Sequence, residues 1–177
     1  MEDRVDNTYL DILMHVPGLP FQGDTLENES LGGAETAGLC MARELAKIGH
    51  HVIVFSNTSK PGSYDGVIYL PASGFMQQAT AHPHDVTIIQ RIPEAFSRKM
   101  NSKLNLLWCH DLAMLRSAQN LKGTLWNLDK VAVVSKFMAE QYKEVYGIGD
   151  DVIYQTRNGI DVKRFDVQSF NVVCGHY

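Results

Sequence analysis

A chain of 177 residues, 45% hydrophobic and 20% charged, has the composition of an ordinary globular domain and enough length to bury one sizeable core. Its formal net charge of −4 supplies no basic field for nucleic acid or an anionic membrane. The opening MEDRVDNTYLDILMHV carries acidic residues and only a short apolar run, so it reads as neither a secretory leader nor a membrane span; a cytoplasmic location is the default expectation, with peripheral membrane attachment left open.

In chain order, residues 9–16 (YLDILMHV) predict a buried strand, followed by a loop rich in Pro, Gly, Asn and Asp over 17–31. The spacing then predicts a helix over about 34–48. Ala34, Ala37, Met41, Leu45 and Ile48 recur every three or four residues, Arg43, Glu44 and Lys47 fall off that stripe, and Gly49 stands where a helix-ending glycine belongs. Further strands are expected at 51–56 (HVIVFS), 66–70 (GVIYL), 85–90 (DVTIIQ), 104–109 (LNLLWC), 130–134 (KVAVV) and 152–156 (VIYQT), with a helix over about 136–146. Most of these strands are apolar throughout rather than alternating, as strands covered by helices on both faces are. The expected fold class is α/β, with a Rossmann-like, doubly wound, mostly parallel sheet of about seven strands. Segments 57–65 (NTSKPGSYD) and 72–83 are the expected mobile loops, and the tail after Phe165 has no clear period. Cys40, Cys109 and Cys174 are odd in number, widely spaced and without a CxxC, so reduced thiols are expected rather than a disulfide framework or a zinc site.

In an open parallel sheet, ligands bind beyond the carboxyl ends of the strands, near the point where strand order reverses. Gly32-Gly33 open the helix that follows the first strand. Free amides and the positive end of the helix dipole suit an anion such as a diphosphate there. A flexible loop before an ordinary helix start fits the same residues, and both readings stand. A dinucleotide site is disfavoured, because the loop is too long for G-x-G-x-x-G and the second strand ends in Phe55-Ser56-Asn57 without a carboxylate. No G-x-x-x-x-G-K-[ST] occurs, which excludes a P-loop.

His110-Asp111 follow the strand in LLWCHDL. The imidazole can donate to a sugar hydroxyl or a phosphate while the carboxylate orients it; alternatively, Asp111 caps the next helix and His110 is merely exposed. Arg91, after IIQ, is an anion holder or a solvated arginine. Ser135 is the expected N-cap of the following helix, with Met138 leaving the capping box incomplete. Asn158-Gly159 signal a turn. His82 and His84 flank Pro83 with no third ligand placed by sequence, so no metal site is expected. His50-His51 and the pair Tyr142 and Tyr146 read as packing residues.

Taken in order, these segments resemble the GT-B glycosyltransferases, specifically the retaining group of glycosyltransferase family four. The family's G-G-x-E loop and the helix and strand ending in L-x-x-x-G-H-x-V-x-V are matched by Gly32, Gly33, Glu35, Leu45, Gly49, His50, Val52 and Val54. LLWCHDL, DKVAVVSKFMAEQYKEVYGI and VIYQTRNGIDVKRF resemble its later strand ends, and the resemblance runs from about Leu10 to Phe165. It implies that Gly32 and Gly33 approach the diphosphate of a nucleotide-sugar, and that His110 and Asp111 form the catalytic pair, with His110 touching the transferred sugar. Glu35, Arg91, Ser135 and Asn158 would line the acceptor side or the cleft. The implied donor is a nucleotide-sugar; a glycan or lipid-linked acceptor is expected, with small-molecule acceptors also open, and front-face retention requires neither metal nor cofactor. Residues 1–165 would be the N-terminal domain and 166–177 a tail or the start of an interdomain linker. The donor-binding C-terminal domain would lie elsewhere, in cis or in trans, leaving this chain inactive alone. Two alternatives are an assembly module that pairs with a separate donor-binding chain, and an unrelated nucleotide-binding Rossmann protein.

Overall fold

The computed structural model describes residues 9–113 and 121–159. Its frame is one eight-stranded sheet: β1 (Asp11–Val16), β2 (His51–Ser56), β3 (Gly62–Tyr64), β4 (Val67–Pro71), β5 (His84–Gln90), β6 (Ser102–Cys109), β7 (Lys130–Val133) and β8 (Ile153–Gln155), in the order β3-β4-β2-β1-β5-β6-β7-β8. The seven strands expected from the sequence are all present and all pair in parallel. The eighth, β3, pairs antiparallel with β4 and lies inside the expected loop 57–65. Asp65 and Gly66 make its turn with φ of +51° and +80°. Two consecutive left-handed residues twist a two-residue hairpin correctly, which is why Asp-Gly is a hairpin signal.

The run of apolar residues in β1 serves two cores. Ile12, Met14 and Val16 face α2 (Gly33–Lys47), packing with Leu39, Ala42, Val52 and Val54. Leu13 faces the opposite layer, where Phe55, Ile89, Leu107 and Val131 meet α3 (Phe75–Ala81) and α4 (Lys136–Tyr146). Helices therefore cover both faces, and each strand needs apolar side chains at successive positions.

The expected stripe on α2 is displaced. The buried side is Glu35, Gly38, Leu39 and Ala42, while Ile48 is 66% exposed. The helix approaches β1 so closely at Gly38 that a Cβ there would stand 2.8 Å from Val16 Cγ1. A glycine thus marks the contact line that an apolar-only count misses. A second correction concerns 72–83, expected as a mobile loop. A short turn at Ala72–Gly74 leads into α3, which drives Phe75 and Ala79 into the core at 1% and 0% exposure. A short helix, α1 (Thr25–Asn28), also interrupts the expected loop 17–31. Ser135 caps α4 by accepting from Met138 N at 3.2 Å, and Gly147, at φ +67°, ends the helix by donating to Lys143 O at 2.9 Å.

From β1 the chain winds outward through β2 to β4, then crosses back to β5 on the other side of β1. Strand order reverses between β1 and β5, so residues 16–18 and 90–91 flank the switch point. Among the described residues no helix is long and apolar enough to cross a membrane. Cys174, the expected boundary at 165/166 and the tail lie outside the described residues.

Candidate functional site

At the carboxyl end of β1 the chain turns through Gly18 at φ +128°, a conformation open to glycine. The turn is organised around Glu35, the third residue of α2, which is only 4% exposed. Its Oε1 accepts from Leu19 N at 3.2 Å and lies 3.9 Å from Arg91 Nη1. A Cβ at Gly18 would fall 2.0 Å from Glu35 Oε1, and one at Gly32 would fall 2.3 Å from Oε2. Both glycines make room for an internal carboxylate, held where the helix dipole favours negative charge.

Gly33 differs from its neighbour. It is exposed, and a Cβ there would meet nothing within 4 Å. Among the described residues no side chain caps α2, and Thr36 N bonds back to Gly32 O at 2.9 Å. The amides ahead of Thr36 have no helical carbonyl four residues back. The open face of this helix terminus is therefore at Gly33.

Across the switch point, Gln90 ends β5 with its side chain completely buried. Gln90 Nε2 donates to Ala34 O at 2.9 Å and lies 2.8 Å from His110 Nε2. An amide NH2 can only donate, so His110 Nε2 accepts and the imidazole proton sits on Nδ1. Burial lowers the His110 pKa from its usual value; the carboxylate of Asp111 opposes this in part, while Arg91 adds to it. His110 is thus held neutral, as the tautomer that offers Nδ1–H for donation. Trp108 packs against the ring, with centroids 4.5 Å apart.

Arg91 follows Gln90 at φ +66°, strained for a residue with a side chain. Its amide donates to Trp108 O at 3.1 Å, and its Nε donates to Asp111 Oδ2 at 2.7 Å. One guanidinium thereby links the end of β6 to Glu35 at the start of α2. Arg91, His110 and Asp111 converge on the mouth of a cavity of about 580 Å³, whose walls include Leu107, Cys109, Leu121 and Tyr142. Burial pushes the Cys109 thiol up to about 12, which removes it as a nucleophile near neutrality. Burial also raises the Tyr142 hydroxyl, which donates to Asp111 O at 3.1 Å.

No protein-family model and no curated protein matches this chain. Among solved structures, it is similar to a glycosyltransferase from Rickettsia africae ESF-5, with 17% identity and a TM-score of 0.62, over 93% of this chain and 47% of that one. The likeness shows the fold, a mostly parallel α/β sheet of the kind that forms a Rossmann-like half of a glycosyltransferase. The chain spans about half the length of that protein.

Of the residues singled out in the sequence, Arg91, His110 and Asp111 line the cavity, and Glu35 joins them through Arg91. Gly32 and Gly33 sit on the α2 side of the sheet, outside the cavity lining. Ser135 is tied into the cap of α4, and Asn158 is exposed beyond β8. His84 is buried against Gln78, 3.4 Å away between Nε2 atoms. Among the described residues no group of three or more His, Cys, Asp or Glu converges as a metal site.

Gln90 escaped sequence reasoning, and its role can be measured. Gln90→Met keeps the approximate shape, removes both donors and deletes a buried Oε1 that has no partner. Stability should fall by about 1–3 kcal/mol, because His110 Nε2 is left without the buried donor it now accepts from. The His110 ring ¹⁵N shifts should move away from the Nδ1–H tautomer. Its pKa should rise, because a hydrogen bond that favours the neutral ring is gone. An unchanged tautomer in the variant would refute the assignment.

Proposed function

We propose that the chain is the acceptor-side, N-terminal half of a retaining GT-B glycosyltransferase of family four, acting on a nucleotide-sugar and a hydroxyl-bearing acceptor. Residues 1–165 form that half, and the groups that grip the donor come from a second domain or a partner chain. The observation that carries this reading is the pairing at one switch point of an open helix terminus at Gly33 with a donor-competent His110 held by Gln90. The amides of Gly33 and Ala34 meet the diphosphate, His110 Nδ1–H donates to a sugar oxygen, and Asp111 and Arg91 hold the neighbouring charge balance. Preorganised donors of this kind stabilise charge developing on a leaving diphosphate. Front-face displacement, in which that leaving group takes the acceptor proton, demands neither metal nor cofactor.

Leu19, Leu112 and Phe137 lie near the carboxyl edge of the sheet and are 53%, 54% and 64% exposed. An apolar edge beside a half-site supports the docking of a second wall. The 177-residue chain alone should therefore bind nucleoside diphosphate weakly and transfer no sugar. Titration with UDP, GDP and NAD, followed by amide shifts, should move Gly33 and Ala34 with the nucleoside diphosphates. Tighter binding of NAD, or robust sugar transfer by the chain alone, would overturn the proposal.

A further inference from the structure

Arg91 stands where a side chain is costly. Its φ of +66° lies in the left-handed region that glycine and asparagine fill more cheaply. The backbone is nevertheless fixed there, with the Arg91 amide donating to Trp108 O at 3.1 Å. What the side chain returns in stability is small. Its contact with Asp111 joins a side chain 38% exposed to one 62% exposed, and exposed ion pairs contribute little. That pair does hold the arginine in one pose. Nε is spent on Asp111 Oδ2 at 2.7 Å, and Glu35 Oε1 draws Nη1 toward the first turn of α2 from 3.9 Å, beyond hydrogen-bond reach. Among the described residues neither Nη makes a hydrogen bond. A strained, aimed arginine with both Nη groups uncommitted has the form of a clamp for an oxyanion.

We infer that Arg91 holds a non-bridging oxygen of the donor diphosphate, through its Nη groups, beside the open terminus of α2. The inference rests on the glycosyltransferase reading above, and adds a charged side chain to the amides of Gly33 and Ala34. Position supports it. Glu35 is the third residue of α2, so a guanidinium 3.9 Å from its carboxylate stands at the helical turn that carries Gly33. Glu35 and Asp111 are then positioning residues that aim the guanidinium. Their charges also reduce the net attraction of the site, in keeping with weak binding by this half alone. The backbone strain acquires a purpose: glycine at position 91 would satisfy the chain and lose the clamp.

The test uses the ¹⁵N-labelled 177-residue chain, with UDP and glucose 1-phosphate as probes. UDP should shift the Arg91 Nε–Hε resonance together with the amides of Gly33 and Ala34. Arg91→Gly should weaken UDP by about tenfold while Tm stays level or rises, because glycine adopts the left-handed backbone without strain. Arg91→Asn, which also tolerates that φ, should weaken UDP equally. A structural arginine predicts the opposite pattern, a lower Tm with UDP affinity intact. A fall in Tm of about 5 °C or more in either variant, or a loss of UDP affinity under about threefold, would overturn the inference. So would a response of Arg91 to glucose 1-phosphate as large as that to UDP, which would make the clamp an acceptor-side phosphate site. Gly33 and Ala34 responding to UDP while Arg91 stays silent sinks the arginine assignment and leaves the transferase reading standing. Arg91 responding alone places the anion away from the α2 terminus and sinks both, as does silence of all three.

Discussion

Replacing Gly18 by alanine should lower the stability of the fold by about 3–5 kcal/mol, read as a fall in Tm of about 10 °C or more. Two separate effects add. An L-residue at φ +128° is strained, by roughly 1–3 kcal/mol. The new methyl would also stand 2.0 Å from Glu35 Oε1, displacing a buried carboxylate from its bond with Leu19 N. A hydrogen bond to a charged group contributes about 1.5–3 kcal/mol. The collision and the strain can be told apart with Glu35→Ala, which removes the collision and leaves the strain. The double variant should then be less destabilised than the sum of the singles, by about 1 kcal/mol or more. Gly33→Ala provides the contrast within the same motif. With open space around it and a helical position to fill, it should be neutral or stabilising, by up to about 1 kcal/mol. A Gly18→Ala variant within about 0.5 kcal/mol of the parent would show that Glu35 does not organise this turn.

That contrast also shows why the glycine pair could not be parsed from the sequence. LGGAE places two identical residues before a helix, yet the reason for Gly32 is a carboxylate three residues on, folded back into the turn after β1. Gly33 has no such neighbour. The distinction exists only once Gly18, 17 residues from Glu35, is brought beside it. Strands behaved differently. A strand buried on both faces must be apolar at successive positions, and that demand is local, so LDILMHV and HVIVFS were legible without the fold. The same holds for Arg91, His110 and Asp111, which stand at strand ends where a parallel sheet places its ligands. Gln90 stands there too, but a glutamine ending a strand has no distinguishing pattern. Its meaning comes from Ala34, 56 positions away, and His110, 20 positions away. The cavity was equally hidden, because its inner wall is assembled from β6, Leu121 and α4. The Asp65-Gly66 hairpin was the reverse case, a local signal present in the sequence beside a strand too short to suggest itself.

Truncating Phe75 should be as damaging as the Gly18 change, for a different reason. The ring is 1% exposed, stacks on His15 with centroids 4.4 Å apart and an interplanar angle of 11°, and meets Phe55 edge-on at 5.8 Å. Phe75→Ala removes the anchor of α3 and opens a cavity over the centre of the sheet, at about 3–5 kcal/mol. The same change should alter the pH dependence of what stability remains. Burial lowers the His15 pKa from its usual value. The unfolded chain therefore binds a proton that the folded chain refuses, and stability falls as pH drops below the unfolded value of about 6.5. Exposing His15 to water returns its pKa toward that value and removes part of this acid penalty. Urea unfolding at about pH 7.5 should show the full loss, and at about pH 5 the gap between parent and variant should narrow. A loss under about 1 kcal/mol at the higher pH would mean that residues 72–83 behave as the loose loop their composition suggests, and that the second core closes without them.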